Sequence, residues 1–208
     1  MDVLAHGLWA AAALVVACRR AALKPAIARA AVVASVVPDL LHSIPLVVWS
    51  ALAGRDGIAL LREYAFSLPG HEPWVPEWVA LASHHMHCAA HSAVVAAVLS
   101  LVAWLLEPTV MIVLLGWWSH IVIDLFTHSA DFYPAPVLYP LSDRTIDGFA
   151  WNRPELLIAN YLALTIVWWW IARTRNAHAA PSVAGSSGAL KRRIKPGGNP
   201  HEVHGPRG

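Results

Sequence analysis

The stretch GWWSHIVIDLFTH, residues 116–128, is apolar except for one polar stripe: His120, Asp124 and His128 recur at i, i+4 and i+8. A second stretch, SHHMHCAAHS at residues 83–92, places His84, His87 and His91 at i, i+3 and i+7. Each set lines one face of a helix. Ionisable side chains inside a hydrophobic segment are costly unless they are paired or bind a metal. Imidazole nitrogens and carboxylate oxygens are the donors a zinc-like divalent ion prefers. The two stretches together predict a metal site buried in an apolar helical protein.

Composition agrees with this. Of 208 residues, 57% are hydrophobic and only 13% charged, and the mean hydropathy is +0.51. Soluble domains carry about a quarter charged residues, so the chain reads as an integral membrane protein with the lipid bilayer as its partner. Several of the 11 Trp end apolar runs, where an interfacial belt belongs. A net charge of +2 gives no support to nucleic-acid binding, and none is expected. Two cysteines, Cys18 and Cys88, define no disulfide framework. Cys88 lies one turn after His84 and reads as a packing residue before a minor ligand. Val15–Cys18 has the look of a lipoprotein box, but Arg19 and Arg20 follow the apolar run instead of preceding it, so residues 3–18 read as a retained helix.

Five spans are predicted, over about 3–18, 26–53, 79–106, 109–127 and 156–172. Pro38 and Pro45 must kink the second or split it, and Asp39 and His42 fall in that break. Broken backbone at membrane depth is tolerated where it lines an enclosed cavity. Residues 54–78 and 128–155 read as long connections. From Asn176 the chain is Gly, Ser, Pro and basic residues, so the expected organisation is a transmembrane domain over 1–175 and a disordered tail over 176–208. With five crossings, 11 of the 15 Lys and Arg fall on the side of the tail and 4 on the other. This predicts a multi-pass cell-membrane protein with a cytoplasmic tail. His6, Asp39, His42, the residue 84–91 histidines and the residue 120–128 stripe then share the outer leaflet.

Asp39 and Asp124 are the acidic residues deep in predicted spans, and no Lys or Arg lies at matching depth. A divalent ion resolves that charge problem. The candidate ligands are His6, Asp39, His84, His87, His91, His120, Asp124 and His128, enough for one or two ions. His85 lies one step off the stripe, as a supporting or interfacial residue. Asp131 reads as a loop residue, Asp2 as an interfacial charge, and His71, His178, His201 and His204 as loop or tail residues. Arg144, just past the fourth span, is a candidate for a phosphate contact, although a snorkelling interfacial Arg explains it as well.

His6-Gly7, Pro38-Asp39, His91-Ser92, and Gly116-x-x-Ser119-His120-x-x-x-Asp124 followed by Tyr139-Pro140-Leu141-Ser142 resemble the membrane-bound metal-dependent hydrolases of bacteria and archaea. The resemblance covers residues 3–172. That family is similar in turn to zinc-dependent phospholipases C and three-zinc single-strand nucleases. The resemblance implies that His6 is the early His ligand, that Asp39 bridges metals or orients the nucleophile, and that His120-x-x-x-Asp124 is a helical ligand pair. His87-x-x-x-His91 departs from the pattern, with His91 where a carboxylate is expected, which implies one or two zinc ions and not three. His128 and His84 remain as ligand or general base. The implied activity is hydrolysis of a phosphoester, on a small molecule or, given the placement in one leaflet, a lipid or lipid-linked substrate. Asp39 and His128 are the catalytic candidates.

The expectation is therefore an all-α integral membrane protein of about five transmembrane helices, the second broken by prolines, enclosing a His/Asp metal site. A non-enzymatic metal-binding membrane protein, whether transporter or sensor, is the rival. A transporter needs polar groups reaching both faces, whereas the inner halves of spans one, three, four and five are almost purely apolar. A scaffold with a vestigial site is the third reading.

Overall fold

The computed structural model describes residues 1–18, 23–67 and 71–179, and within them the chain forms nine α-helices and no strand. They are α1 (Val3–Ala17), α2 (Pro25–Ala34), α3 (Val37–Leu41), α4 (Ile44–Leu52), α5 (Gly57–Phe66), α6 (Glu77–Ala90), α7 (Ala93–Leu106), α8 (Val110–Thr127) and α9 (Pro154–Ala179). One compact unit runs from Met1 to Ile171; a second begins at Ala172, and only its residues up to Ala179 are described. The helix thus continues four residues past Arg175, and the rest of the predicted tail, residues 180–208, lies outside the described residues.

Two helical segments are long and apolar enough to cross a bilayer, Val110–Thr127 and Pro154–Arg175. Two bent pairs also qualify if each is one broken span: α2 with Val37–Leu52, bent by 53°, and α6 with α7, bent by 62°. The described residues therefore hold two to four candidate spans, against the five expected. The shortfall is α1, whose 15 residues reach only about 22 Å at 1.5 Å per residue, short of the ~30 Å hydrocarbon core. Large apolar side chains stay exposed along α7 and α9, among them Leu101, Leu105, Leu106, Leu162 and Ile166. Helices that show apolar surface outward are what a lipid solvent selects.

Each bend has a local cause. Ser35 ends α2 by turning its hydroxyl back to the Val32 carbonyl, and Pro38 and Pro45 then occupy the first turns of α3 and α4, where a missing N–H costs nothing. The predicted split of the second span is present. The third span, expected to be continuous over 79–106, is broken as well. His91 ends α6, and Ser92 takes an extended conformation whose Oγ accepts from Val94 and Val95 N–H, starting a new helix. Ser92 Oγ also donates to the Tyr139 carbonyl, tying the break to the 128–153 loop.

The connection at 54–78 is not all loop. Asp56 caps α5 through Ile58 and Ala59 N–H, and this helix supplies Leu60 to a small buried core with Leu46 of α4 and Val79 of α6. Fully burying such side chains contributes about 1.5–3 kcal/mol each. On the other side, α8 packs closely on α2 at Gly116, where a Cβ would come within 1.8 Å of the Ala31 carbonyl oxygen. That contact brings His120 beside the end of α2. Trp117 Nε1 donates to the Ala90 carbonyl at 2.6 Å and Trp118 Nε1 to Ser100 Oγ at 2.9 Å, which fasten α8 to α6 and α7.

Candidate metal centre

Four elements deliver donors to one point: α1 gives His6, α3 gives Asp39, the end of α6 gives His91, and α8 gives His120 and Asp124. One donor atom from each of His6, Asp39, His120 and Asp124 lies within 4.8 Å of the other three, a group that could hold a metal ion. His120 Nε2 stands 2.9 Å from Asp124 Oδ2, His6 Nε2 3.0 Å from Asp124 Oδ1, and His6 Nε2 3.9 Å from Asp39 Oδ2. Ligand atoms sharing a zinc ion at about 2.0–2.2 Å sit roughly 3.3–3.6 Å apart, so the spacing suits the ion. His6, His91, His120 and Asp124 are buried.

Proton placement gives an independent test. His120 Nδ1 donates to the Ser35 carbonyl at 2.9 Å, His91 Nδ1 to the His87 carbonyl at 2.9 Å, and His128 Nδ1 to the Tyr133 carbonyl. A carbonyl only accepts, so in each ring Nδ1 carries the proton and Nε2 is left to present a lone pair inward. This is the outer hydrogen bonding by which metal-ligating histidines are fixed. His91 Nε2 and His120 Nε2 then face each other at 3.1 Å. Two lone pairs or two N–H groups would repel at that distance; a cation between the rings and the carboxylates satisfies both. Asp39 Oδ2 and Asp124 Oδ2 are buried without a hydrogen-bond partner although imidazole nitrogens stand within 4 Å. Donors that converge without N–H···O alignment are what an ion site leaves behind. The residues present fit a divalent metal.

The eight predicted ligands divide. His6, Asp39, His120 and Asp124 form the group, and His91 adjoins it at 3.3 Å from Asp124 Oδ2. His128 was expected as the third member of the helical stripe. It instead caps α8 in an extended conformation, with Nε2 3.4 Å from Asp124 Oδ1. Gly148 makes this possible: its N–H donates to the His128 carbonyl at 2.8 Å, and a Cβ there would meet that oxygen at 2.7 Å. His87 stacks on His91 with ring centroids 4.2 Å apart and leaves Nε2 buried and unpartnered. His84 is exposed, meets Cys88 Sγ at 3.5 Å, and is not one of the four members of the group. His85 meets the Tyr139 hydroxyl at 3.1 Å.

No Lys or Arg side chain is expected at the depth of the aspartates, yet the Met1 amino group lies there. It donates to Asp124 Oδ1 at 2.6 Å and Thr127 Oγ1 at 3.0 Å, and stands 3.3 Å from His128 Nε2. A main-chain amine leaves no mark in a search for basic side chains. Asp2, expected as an interfacial charge, caps α1 through Ala5 N–H and accepts from the Tyr161 hydroxyl.

A cavity of about 840 Å³ opens beside the group, reaching Met1, Asp39, His42, His84, His87 and His128 on its polar side and Leu40, Ile44, Val47, Val48 and Leu61 on its apolar side. Tyr64, Glu72, Tyr133 and Trp151 also line it. Burial and then the Glu72 carboxylate push the Tyr64 hydroxyl up and the Tyr133 hydroxyl up to about 12, so both phenols keep their protons at neutral pH. Tyr133 holds a positive φ of 47°, uncommon for a bulky residue and frequent at functional sites. Arg144 is exposed and does not reach this cavity.

The chain matches no family model, no curated protein and no solved structure.

Proposed function

We propose that this chain is a metal-dependent hydrolase embedded in the membrane by five spans, α1 being the short fifth, and that it cleaves a phosphoester of a lipid or lipid-linked substrate. The observation that carries the reading is the junction of the His/Asp group with an amphipathic cavity. Asp39 belongs to the ligand group and also lines the cavity, so a substrate filling that space touches the donors directly.

His6, Asp39, His120 and Asp124 would hold the ion, with His91 beside them. When bound, a zinc-like ion supplies Lewis acidity that offsets charge on a phosphate and makes water a competent nucleophile near neutral pH. The chain's own residues do the rest. Asp39, on the cavity wall, orients the attacking water and accepts its proton. His128 presents its Nε2 lone pair to the same wall while the Tyr133 carbonyl fixes its Nδ1–H, so it can take the water's proton on from Asp39 and hand it to the leaving oxygen. The phenol protons of Tyr64 and Tyr133 provide donors on the cavity wall. Location in the outer half of the bilayer and a cytoplasmic tail follow from the Lys and Arg distribution and belong to the same proposal. So does the similarity to zinc-dependent phospholipases C.

The test is turnover of bis(p-nitrophenyl) phosphate by zinc-loaded protein in detergent. His128→Ala is expected to lower kcat by about 10²–10⁴-fold, the range for loss of a general acid or base, while bound zinc is retained. Turnover equal in His128→Ala and the parent would remove the catalytic assignment. Zinc binding without any turnover in either protein would favour the sensor or transporter.

A further inference from the structure

We propose that Leu40, Ile44, Val47 and Val48 form a side opening in which one hydrocarbon tail of the substrate lies, its phosphate reaching the His/Asp group. This rests on the phosphoesterase reading and adds the binding mode and the residues that select for tail length. The four residues fall 4, 3 and 1 positions apart on α3 and α4, one stripe of a broken helix. All four line the cavity and all four are exposed, by 52%, 46%, 42% and 47% in that order. A wall that is both interior lining and outer surface is an opening. The four residues lie on the Val37–Leu52 part of a bent helix pair that qualifies as one candidate membrane crossing, so the proposed way in is from lipid. Exposed apolar side chains on α7 and α9, such as Leu105 and Ile166, line no part of this cavity, which separates the opening from ordinary lipid-facing surface. The volume of about 840 Å³ lies within the ~300–1,000 Å³ of small-molecule sites. Each methylene buried there strengthens binding by about fourfold.

A lysophospholipid bearing a photoactivatable diazirine at mid-chain tests this in phosphatidylcholine vesicles containing the full chain loaded with zinc. Labelling is expected at residues 40–48 and to fall at least tenfold when excess dodecyl phosphate is added, while labelling of α7 and α9 is unmoved by the competitor. Val48→Trp, or Val47→Trp should the first lose its zinc, is expected to lower the competed labelling about tenfold with zinc content unchanged. Labelling at residues 40–48 that dodecyl phosphate leaves untouched, or that both zinc-loaded Trp variants retain in full, would overturn the proposal. The readout needs no turnover. Competed labelling without hydrolysis counts against the hydrolase alone, and hydrolysis of bis(p-nitrophenyl) phosphate without competed labelling counts against the opening alone.

Discussion

The two histidine stripes look alike in sequence and part company in space. On α8, His120 and Asp124 enter the donor group and His128 stands at its edge. Of the other stripe only His91, the residue that caps α6, comes within 3.3 Å of Asp124, while His87 lies behind it and His84 is exposed. Helical spacing decides which face a residue occupies, but not how far along the axis the neighbouring helices cross. α8 meets α2 at Gly116, one turn before His120, so its stripe begins at the crossing. α6 ends at His91, so its stripe runs away from the site by about 5 Å per turn.

That contrast sets the order of expected effects. Asp124→Ala removes the carboxylate that His6, His91, His120 and His128 all approach within 3.4 Å and is expected to weaken zinc binding by roughly 100-fold or more, beyond the tenfold to 100-fold seen for supporting residues. Titration calorimetry in detergent measures it. Gly116→Val puts side-chain atoms against the Ala31 backbone and is expected to destabilise the protein by about 1–3 kcal/mol, read as a lowered thermal midpoint. His91→Ala should weaken zinc by about tenfold, since it adjoins the group without being one of its four members. His84→Ala should change zinc affinity by less than about twofold, because an exposed ring two turns from the site loses no ligand contact. An effect of His84→Ala as large as that of His91→Ala would erase the distinction between the near and far ends of the α6 stripe.

How much of this could be read from the chain depends on the range of the physics involved. The helical character, the split at Pro38 and the donors on α8 follow from local periodicity and proline chemistry, and they are visible in the sequence. The role of His91 was visible as a ligand candidate, whereas the helix break after it was not, because Ser92 needs the Tyr139 carbonyl from a distant loop to be worth placing there. α5 was hidden inside a Pro- and Gly-rich segment. Asp56 ahead of Leu60, Leu61 and Tyr64 was its signal, and only packing against Leu46 and Val79 makes that helix necessary. The carbonyls of Ser35 and Tyr133 that fix the imidazole tautomers are main-chain groups, and any residue type supplies a carbonyl. The Met1 amine escaped for the same reason.

The central claim is a cation shared by donors from α1, α3 and α8. Elemental analysis of the purified chain against a variant carrying Asp39→Ala and Asp124→Ala tests it most directly. The account predicts at least one divalent ion per parent chain and close to none in the double variant at equal folded yield. Equal metal content in the two proteins would contradict it.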